Sequence, residues 1–169
     1  MERFAESVVK RQLFTTLVLW TLIVVYASAR FLQAFPGRVP MLAIVALHVL
    51  PPLVFALLHG AMLCGLRGIL RFFALCVAIG GLIENFGVLT GFPYGQYYFT
   101  DVMGPKIFGV PVFLGLAYVG MGYLSWTLAG VVLGDLRKPL TGSRVVTLPL
   151  LAAVVMVAWT CAWIPSGLR

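Results

Sequence analysis

Apolar runs of about 20 residues, separated by short charged joints, are the feature that most constrains this chain. A run of this length is what a helix needs to cross the hydrocarbon core of a bilayer. Hydrophobic residues make up 62% of the 169 residues and charged residues only 10%, whereas soluble proteins carry roughly a quarter charged residues. We therefore predict an all-α, polytopic transmembrane helix bundle that forms a single integral membrane domain over residues 1–169.

Five spans can be drawn, at residues 13–30, 41–63, 69–90, 111–134 and 145–165. If the N-terminus is cytoplasmic, the joints on that side hold eight Lys and Arg residues, against four in the opposite joints. Because basic residues are enriched in cytoplasmic loops, we predict a multi-pass protein of the cell (inner) membrane with a cytoplasmic N-terminus. The net charge of +7 then needs no nucleic acid partner to explain it.

The first span has a second interpretation as a secretory signal. Lys10-Arg11, an apolar run and Ala27-Ser28-Ala29 follow one another, as they do before a cleavage site. Arg30 and an aromatic residue come directly afterwards, and no soluble domain follows. We therefore predict a retained span.

The chain lacks the residue patterns of a metal centre. Its three cysteines have no paired spacing of the kind that a zinc site or a redox dithiol requires. His48 and His59 are eleven residues apart and would share a helical face, but we expect Pro51-Pro52 to break the helix between them. Two histidines are also too few ligands. We predict no bound metal.

Residues 84–111, ENFGVLTGFPYGQYYFTDVMGPKIFGVP, interrupt the apolar pattern and hold two of the five carboxylates, Glu84 and Asp101. An acid within a span should face the bundle interior or water. Apolar surroundings favour a neutral carboxyl group, which is the state in which a general acid must start. The run from Gly91 to Gly95 cannot stay helical, because Pro93 lacks an N–H donor and glycines favour turns.

This motif allows two interpretations. In the first it is an interfacial aromatic belt on an outside loop, with Asp101 solvated and Lys106 near the lipid head groups. In the second it is a site that protonates an apolar substrate, where Tyr94, Tyr97 and Tyr98 stabilise the resulting positive charge with their ring faces. Composition alone does not decide between them.

The run from Glu84 to Asp101, followed by Gly104-Pro105-Lys106 and Gly109-Val110-Pro111, resembles the signature of the carotenoid biosynthesis membrane family. That family includes bacterial carotenoid 1,2-hydratases, which act on γ-carotene and bacterioruberin-type precursors. The resemblance implies cofactor-independent addition of water across a terminal C=C of an acyclic carotenoid end group, giving a tertiary alcohol. It also implies a carotenoid or other polyisoprenoid lipid as the substrate and association with other enzymes of carotenoid synthesis.

With this resemblance, the predicted catalytic residues are Glu84 and Asp101. One acid would protonate the less substituted alkene carbon, and a carboxylate would help to deliver water; which acid has which role stays open. The alternative is a non-catalytic membrane protein that binds carotenoids or channels them to neighbouring enzymes. The predicted substrate-binding residues are Asn85, Phe92, Tyr94, Tyr97, Tyr98, Thr100 and Lys106.

The sequence departs from the family after Trp159. Family members continue with an Asp directly after this Trp, an Asp-Pro pair four residues later, and further spans. With one choice of codons, loss of a single base turns Trp-Asp-Leu-Arg-Met-Asp-Pro-Val-Arg into Trp-Thr-Cys-Ala-Trp-Ile-Pro-Ser-Gly, the sequence from Trp159 to Gly167. We therefore expect a C-terminally truncated, frameshifted form whose activity is impaired.

Overall fold

A computed structural model of the protein describes residues 2–32, 39–92, 95–136 and 139–163. Residues 164–169, the end of the divergent tail, lie outside the described residues, as do Pro93 and Tyr94 of the motif. The described part is dominated by α-helices, so the all-α prediction is confirmed. The helices are α1 (Glu2–Leu32), α2 (Met41–Thr90), α3 (Val112–Val132) and α4 (Arg144–Trp163).

Among the described residues, three helices are long and apolar enough to cross a membrane. They are α2, α3 and the Gln12–Leu32 part of α1, with mean hydropathies of 2.4, 1.4 and 1.7. Helix α4 contributes a shorter apolar stretch, Arg144–Ala158. A membrane-embedded helix bundle is therefore supported, while the count of five spans stays a prediction.

The predicted second and third spans belong to one 50-residue helix, α2, which bends at Gly65 (φ 74, ψ 165). In a straight helix, Gly60 and Ile69 would be about 13 Å apart along the axis. Instead, a Cβ atom added to Gly60 would lie 2.5 Å from Ile69 Cδ1. The bend therefore packs two arms of α2, residues 41–64 and 66–90, against each other beside Gly65. Glycine permits the bend because it adopts positive φ without steric conflict.

The expected helix break at Pro51-Pro52 is wrong, because α2 keeps helical dihedral angles through both prolines. Helix α3 packs closely on this point: a Cβ added to Gly120 would lie 2.9 Å from Pro52 Cβ and 3.2 Å from its carbonyl carbon. This close tertiary packing compensates for the backbone hydrogen bonds that the prolines cannot make. His48 and His59 therefore lie on one continuous helical arm.

Two buried clusters connect the helices. Ala56, Ile69 and Tyr123 are buried together where both arms of α2 meet α3. Ala129, Leu148 and Ala152 form a second cluster between α3 and α4. Contacts of Tyr118 with Gly80 and of Phe72 with Gly122 show that α3 runs antiparallel to the second arm of α2.

The Gly- and Pro-rich motif forms the connection between α2 and α3. Helix α2 ends at Thr90, where Gly91 (φ 75) makes a left-handed cap and donates its N–H to the Gly87 carbonyl. A short 3₁₀ turn at Asp101–Met103 and a two-stranded antiparallel ribbon, β1 (Lys106–Ile107) and β2 (Val110–Pro111), then lead into α3. After Thr90 the described motif residues leave the α-helix, as the sequence predicts.

Basic side chains gather at the end of the bundle that contains the bend. Arg67 and Arg71 are exposed directly after Gly65. Arg144, the first residue of α4, contacts the C-terminal end of α3, where its Nη1 donates to the Leu133 carbonyl at 3.1 Å. The motif lies at the opposite end, because the second arm of α2 runs from the bend to Thr90.

Candidate functional site

The Glu84 carboxyl group contacts phenol hydroxyls from two separate elements. Tyr97, in the motif, donates from Oη to Glu84 Oε2 at 3.0 Å. Tyr118, in α3, donates from Oη to Glu84 Oε1. Each carboxyl oxygen therefore has its own hydrogen-bond donor, one from the motif and one from α3. The two tyrosines therefore fix the carboxyl group between the motif and α3.

Two glycines make room for these tyrosines. Gly80 and Gly87 lie four residues before and three residues after Glu84, so all three share one helical face. A Cβ at Gly80 would lie 2.7 Å from Tyr118 Cδ2, and a Cβ at Gly87 would clash with the Tyr97 hydroxyl. A side chain at either position would have to displace a ring whose hydroxyl reaches Glu84.

Asp101 has different surroundings. Its side chain is 98% exposed and pairs with Lys106, whose Nζ lies 2.6 Å from Asp101 Oδ1. Lys106 also donates to the Phe99 carbonyl at 2.6 Å. The hydrogen bond from Lys106, and then its charge, lower the pKa of Asp101 below its ordinary value of 3.8. The interactions of the two predicted acids therefore differ: Glu84 bonds to tyrosines, and Asp101 to Lys106.

The predicted aromatic cluster is divided. Tyr97 lies against Glu84 and makes an edge contact with Phe99, at 5.7 Å between ring centres. Tyr98 is 83% exposed and Phe92 is 68% exposed. Thr100 is exposed as well. Tyr94 lies outside the described residues.

Asn85 faces a different side of α2 from Glu84, where it lines an open groove of about 660 Å³. Its Nδ2 donates to the Gly81 carbonyl at 2.7 Å, while its buried Oδ1 has no hydrogen-bond partner among the described residues. Phe108 reaches the groove from the turn of the β-ribbon with φ 51, the left-handed region that favours glycine. The groove is lined by Ala78, Gly81, Leu82, Asn85, Leu89 and Phe108.

A second polar pair lies nearer the bend. His59 Nδ1 is 2.8 Å from Tyr123 Oη, and Phe55 stacks on the His59 ring at 5.4 Å. Tyr123 is 6% exposed and belongs to the buried cluster between the arms and α3. Across the residues that the structure describes, no three His, Cys, Asp or Glu side chains are grouped closely enough to hold a metal ion.

Tyr118 is the site residue that the sequence interpretation missed. The motif points to Glu84 and Tyr97, but Tyr118 lies 34 residues after Glu84, within an apolar span. The sequence does show a tyrosine hydroxyl inside that span, and such a group needs a hydrogen-bond partner when it is buried. Its partner could not be identified without knowing which helices pack together.

Comparison with known proteins identifies the family of the chain. No curated protein and no solved structure matches the chain. The sequence model of the family described as Carotenoid biosynthesis protein matches residues 39–165, about three quarters of the chain. This region contains α2, the motif, α3 and the apolar part of α4. The chain belongs to the carotenoid biosynthesis protein family.

Proposed function

We propose that this protein hydrates an acyclic end group of a carotenoid within the membrane, adding water across a terminal C=C to give a tertiary alcohol. The observation that carries the proposal is the Glu84 carboxyl group, which two phenol hydroxyls hold inside a bundle of the carotenoid biosynthesis family. An intramembrane acid is a functional candidate because its desolvation is unfavourable. Family membership supports the substrate class, and the acid supports the reaction.

The chemistry needs a proton donor, a site for positive charge and water. Glu84 gives its proton to the less substituted alkene carbon, so that the charge develops on the tertiary carbon. The ring faces of nearby tyrosines, Tyr97 first among them, stabilise this cation. Water then adds to the tertiary carbon. No redox cofactor takes part in these steps.

The membrane arrangement that we propose has five spans, with the two arms of α2 counted separately. Each arm of about 24 residues is about 36 Å long, which exceeds the hydrocarbon thickness of about 30 Å. The basic end of the bundle, with Arg67 and Arg71, faces the cytoplasm. Glu84 lies about 28 Å along the helix from Gly65, so the site belongs to the opposite leaflet of the inner membrane.

Labelling of single cysteines tests this orientation. With the three native cysteines changed to serine, Thr100→Cys should react with a membrane-impermeant maleimide added to intact spheroplasts. Arg67→Cys should react only after the membrane is opened. The reverse pattern would contradict a cytoplasmic bend.

The decisive experiment measures pigment. The protein is expressed in cells that accumulate a carotenoid with an acyclic end, and extracted pigment is examined by mass spectrometry for the addition of one water. Glu84→Gln keeps the shape of the side chain but cannot donate an acidic proton, so hydration should fall to background. Asp135→Asn, a carboxyl-to-amide change in the loop after α3, is the matched control and should hydrate as the wild type does. Unchanged pigment from correctly inserted wild type would refute the proposal.

The apolar groove favours a second candidate, a protein that binds carotenoids without changing them. Residues 78–89 extend about 16 Å along the helix, enough to contact part of an extended polyene. This candidate predicts that unchanged pigment copurifies with both wild type and Glu84→Gln. It also predicts that Gly81→Trp, which fills the groove, abolishes copurification.

A further inference from the structure

The two hydroxyls that reach Glu84 come from different segments of the chain. Tyr97 belongs to the loop that follows α2, whereas Tyr118 belongs to α3. The carboxyl group can keep both hydrogen bonds only while this loop and α3 keep a fixed position relative to each other. A contact that joins the two segments would therefore control the geometry of Glu84.

The backbone of Lys106 is fixed to the start of α3. Lys106 pairs with Pro111 across the β-ribbon, and Pro111 is fully buried. The N–H of Val112, the first residue of α3, donates to the Pro105 carbonyl at 2.9 Å. Lys106 is thus held where α3 begins.

The side chain of Lys106 reaches back to the loop. Its Nζ donates to the Phe99 carbonyl at 2.6 Å and to Asp101 Oδ1 at 2.6 Å. Lys106 is 25% exposed and Asp101 is 98% exposed. An ion pair with an exposed partner contributes little, whereas a charged donor makes a strong hydrogen bond to a carbonyl. The bond to the Phe99 carbonyl is therefore the contact that restrains the loop.

Phe99 connects this restraint to the site. Its ring makes an edge contact with Tyr97, with 5.7 Å between ring centres. Tyr97 Oη in turn donates to Glu84 Oε2 at 3.0 Å. Direct contacts therefore lead from Lys106 through Phe99 and Tyr97 to the carboxyl group.

We infer that Lys106 is a positioning residue for Glu84. Its bond to the Phe99 carbonyl joins the loop to the start of α3, and so keeps the Tyr97 and Tyr118 hydroxyls on the two oxygens of one carboxyl group. The catalytic consequence rests on the proposed function, because a displaced Glu84 would transfer its proton to the alkene less well. The inference gives Lys106 a role in place of the substrate contact that the sequence predicts.

Lys106→Met tests this role, because it removes the ammonium donor and keeps an unbranched side chain. The infrared carboxyl band of Glu84, identified by its loss in Glu84→Gln, is measured together with hydration in membranes supplied with carotenoid. We expect the band to shift and kcat to fall roughly 10- to 100-fold with KM nearly unchanged, since misplacing a reacting group by about 1 Å costs up to about 100-fold. Arg71→Met removes an exposed cation at the other end of the bundle; as the matched control, it should change neither. A wild-type band and kcat in Lys106→Met would overturn the inference.

Asp101→Asn separates the carbonyl contact from the ion pair. It removes the negative charge beside Lys106 but leaves the Phe99 carbonyl as an acceptor. The Glu84 band should therefore stay at its wild-type position. A shift as large as that of Lys106→Met would assign the effect to the ion pair and overturn the inference.

Phe99→Ala interrupts the same series of contacts at the next residue. It removes the ring that contacts Tyr97 while its backbone carbonyl can still accept from Lys106. The Glu84 band should shift as it does in Lys106→Met. Because both changes act through Tyr97, the double variant should shift the band by less than the sum of the two single shifts. Additive shifts would mean that Lys106 acts independently of Phe99, and the inference would fail.

The band and the pigment together separate this inference from the proposed function. If wild type hydrates carotenoid and the band is unshifted in Lys106→Met, the inference is overturned and the proposed function stands. If the band shifts but correctly inserted wild type never hydrates carotenoid, the proposed function is refuted, while Lys106 still positions the Glu84 carboxyl group.

Discussion

Replacing Gly80 with alanine should disturb the Glu84 site from a distance, and the neighbouring Gly81 provides a matched control for stability. A Cβ at Gly80 would lie 2.7 Å from Tyr118 Cδ2 and 3.3 Å from its Cγ. A Cβ at Gly81 would meet no atom within 4 Å. The two substitutions therefore change the same helix in the same way and differ only in what the added methyl group contacts.

The expected magnitude follows from two opposing effects. Alanine is better than glycine in a helix interior by roughly 0.5–1 kcal/mol, and both variants gain this amount. Overpacking of a tightly packed site costs about 1–3 kcal/mol, and only Gly80→Ala incurs it, since the contact involves an aromatic ring held at its hydroxyl. Gly80→Ala should therefore be less stable than Gly81→Ala by about 1–3 kcal/mol.

Reversible unfolding in detergent micelles measures this difference. The infrared carboxyl band of Glu84, identified by its loss in Glu84→Gln, reports in parallel whether the Tyr118 hydroxyl has moved away from the carboxyl group. We expect Gly80→Ala to lose stability relative to Gly81→Ala and to shift the band. Equal stability of the two variants with an unshifted band would mean that Tyr118 does not pack on Gly80, and the assignment of Tyr118 to the site would fail with it.

Three further predictions follow from the same contacts. Lys106 lowers the pKa of Asp101. Their ion pair therefore stabilises the folded motif above the ordinary pKa of about 4 and is lost as pH falls through the lowered pKa. The wild type should lose a small part of its thermal stability between pH 5 and pH 2, and Asp101→Asn should abolish this pH dependence. Gly65→Ala should reduce stability by about 1–3 kcal/mol, measured by the same unfolding experiment, because an added Cβ meets no atom within 4 Å and only backbone strain changes. Tyr123→Phe should cost about 0.5–1.5 kcal/mol in unfolding experiments, since it removes the hydrogen bond between the buried Tyr123 and the half-buried His59 Nδ1 at 2.8 Å.

Local chemistry made the motif predictable. Acids in apolar spans, a proline without a donor and glycines that favour turns are properties of a few neighbouring residues, and they sufficed to locate Glu84 and the end of α2 near Thr90. The bend at Gly65 was harder to foresee. A positive φ at one glycine leaves no mark in the surrounding composition, so the sequence predicted two separate spans where the chain forms one bent helix.

The prolines illustrate the opposite case. Local rules favour a break at Pro51-Pro52, yet α2 continues because Gly120 of α3 packs directly on Pro52. Tertiary packing of this kind is not encoded in the nearby sequence. For the same reason the partner of Glu84 on α3 was missed: the contact with Tyr118 joins residues 34 positions apart and depends on which face of each helix is buried.

Gly80 and Gly87 connect the packing of the bundle to the chemistry of the site. Each glycine admits a tyrosine ring close to α2, and each of these rings carries the hydroxyl that reaches Glu84. Close packing with small residues is the usual source of helix association in membranes. Here the same close approach also supplies hydrogen-bond donors to both carboxyl oxygens of Glu84, an acid whose burial in the bilayer would otherwise be unfavourable. Selection for a stable bundle and selection for a proton donor would therefore act on the same two glycines. Substitutions at Gly80 or Gly87 should change stability and carboxyl geometry together.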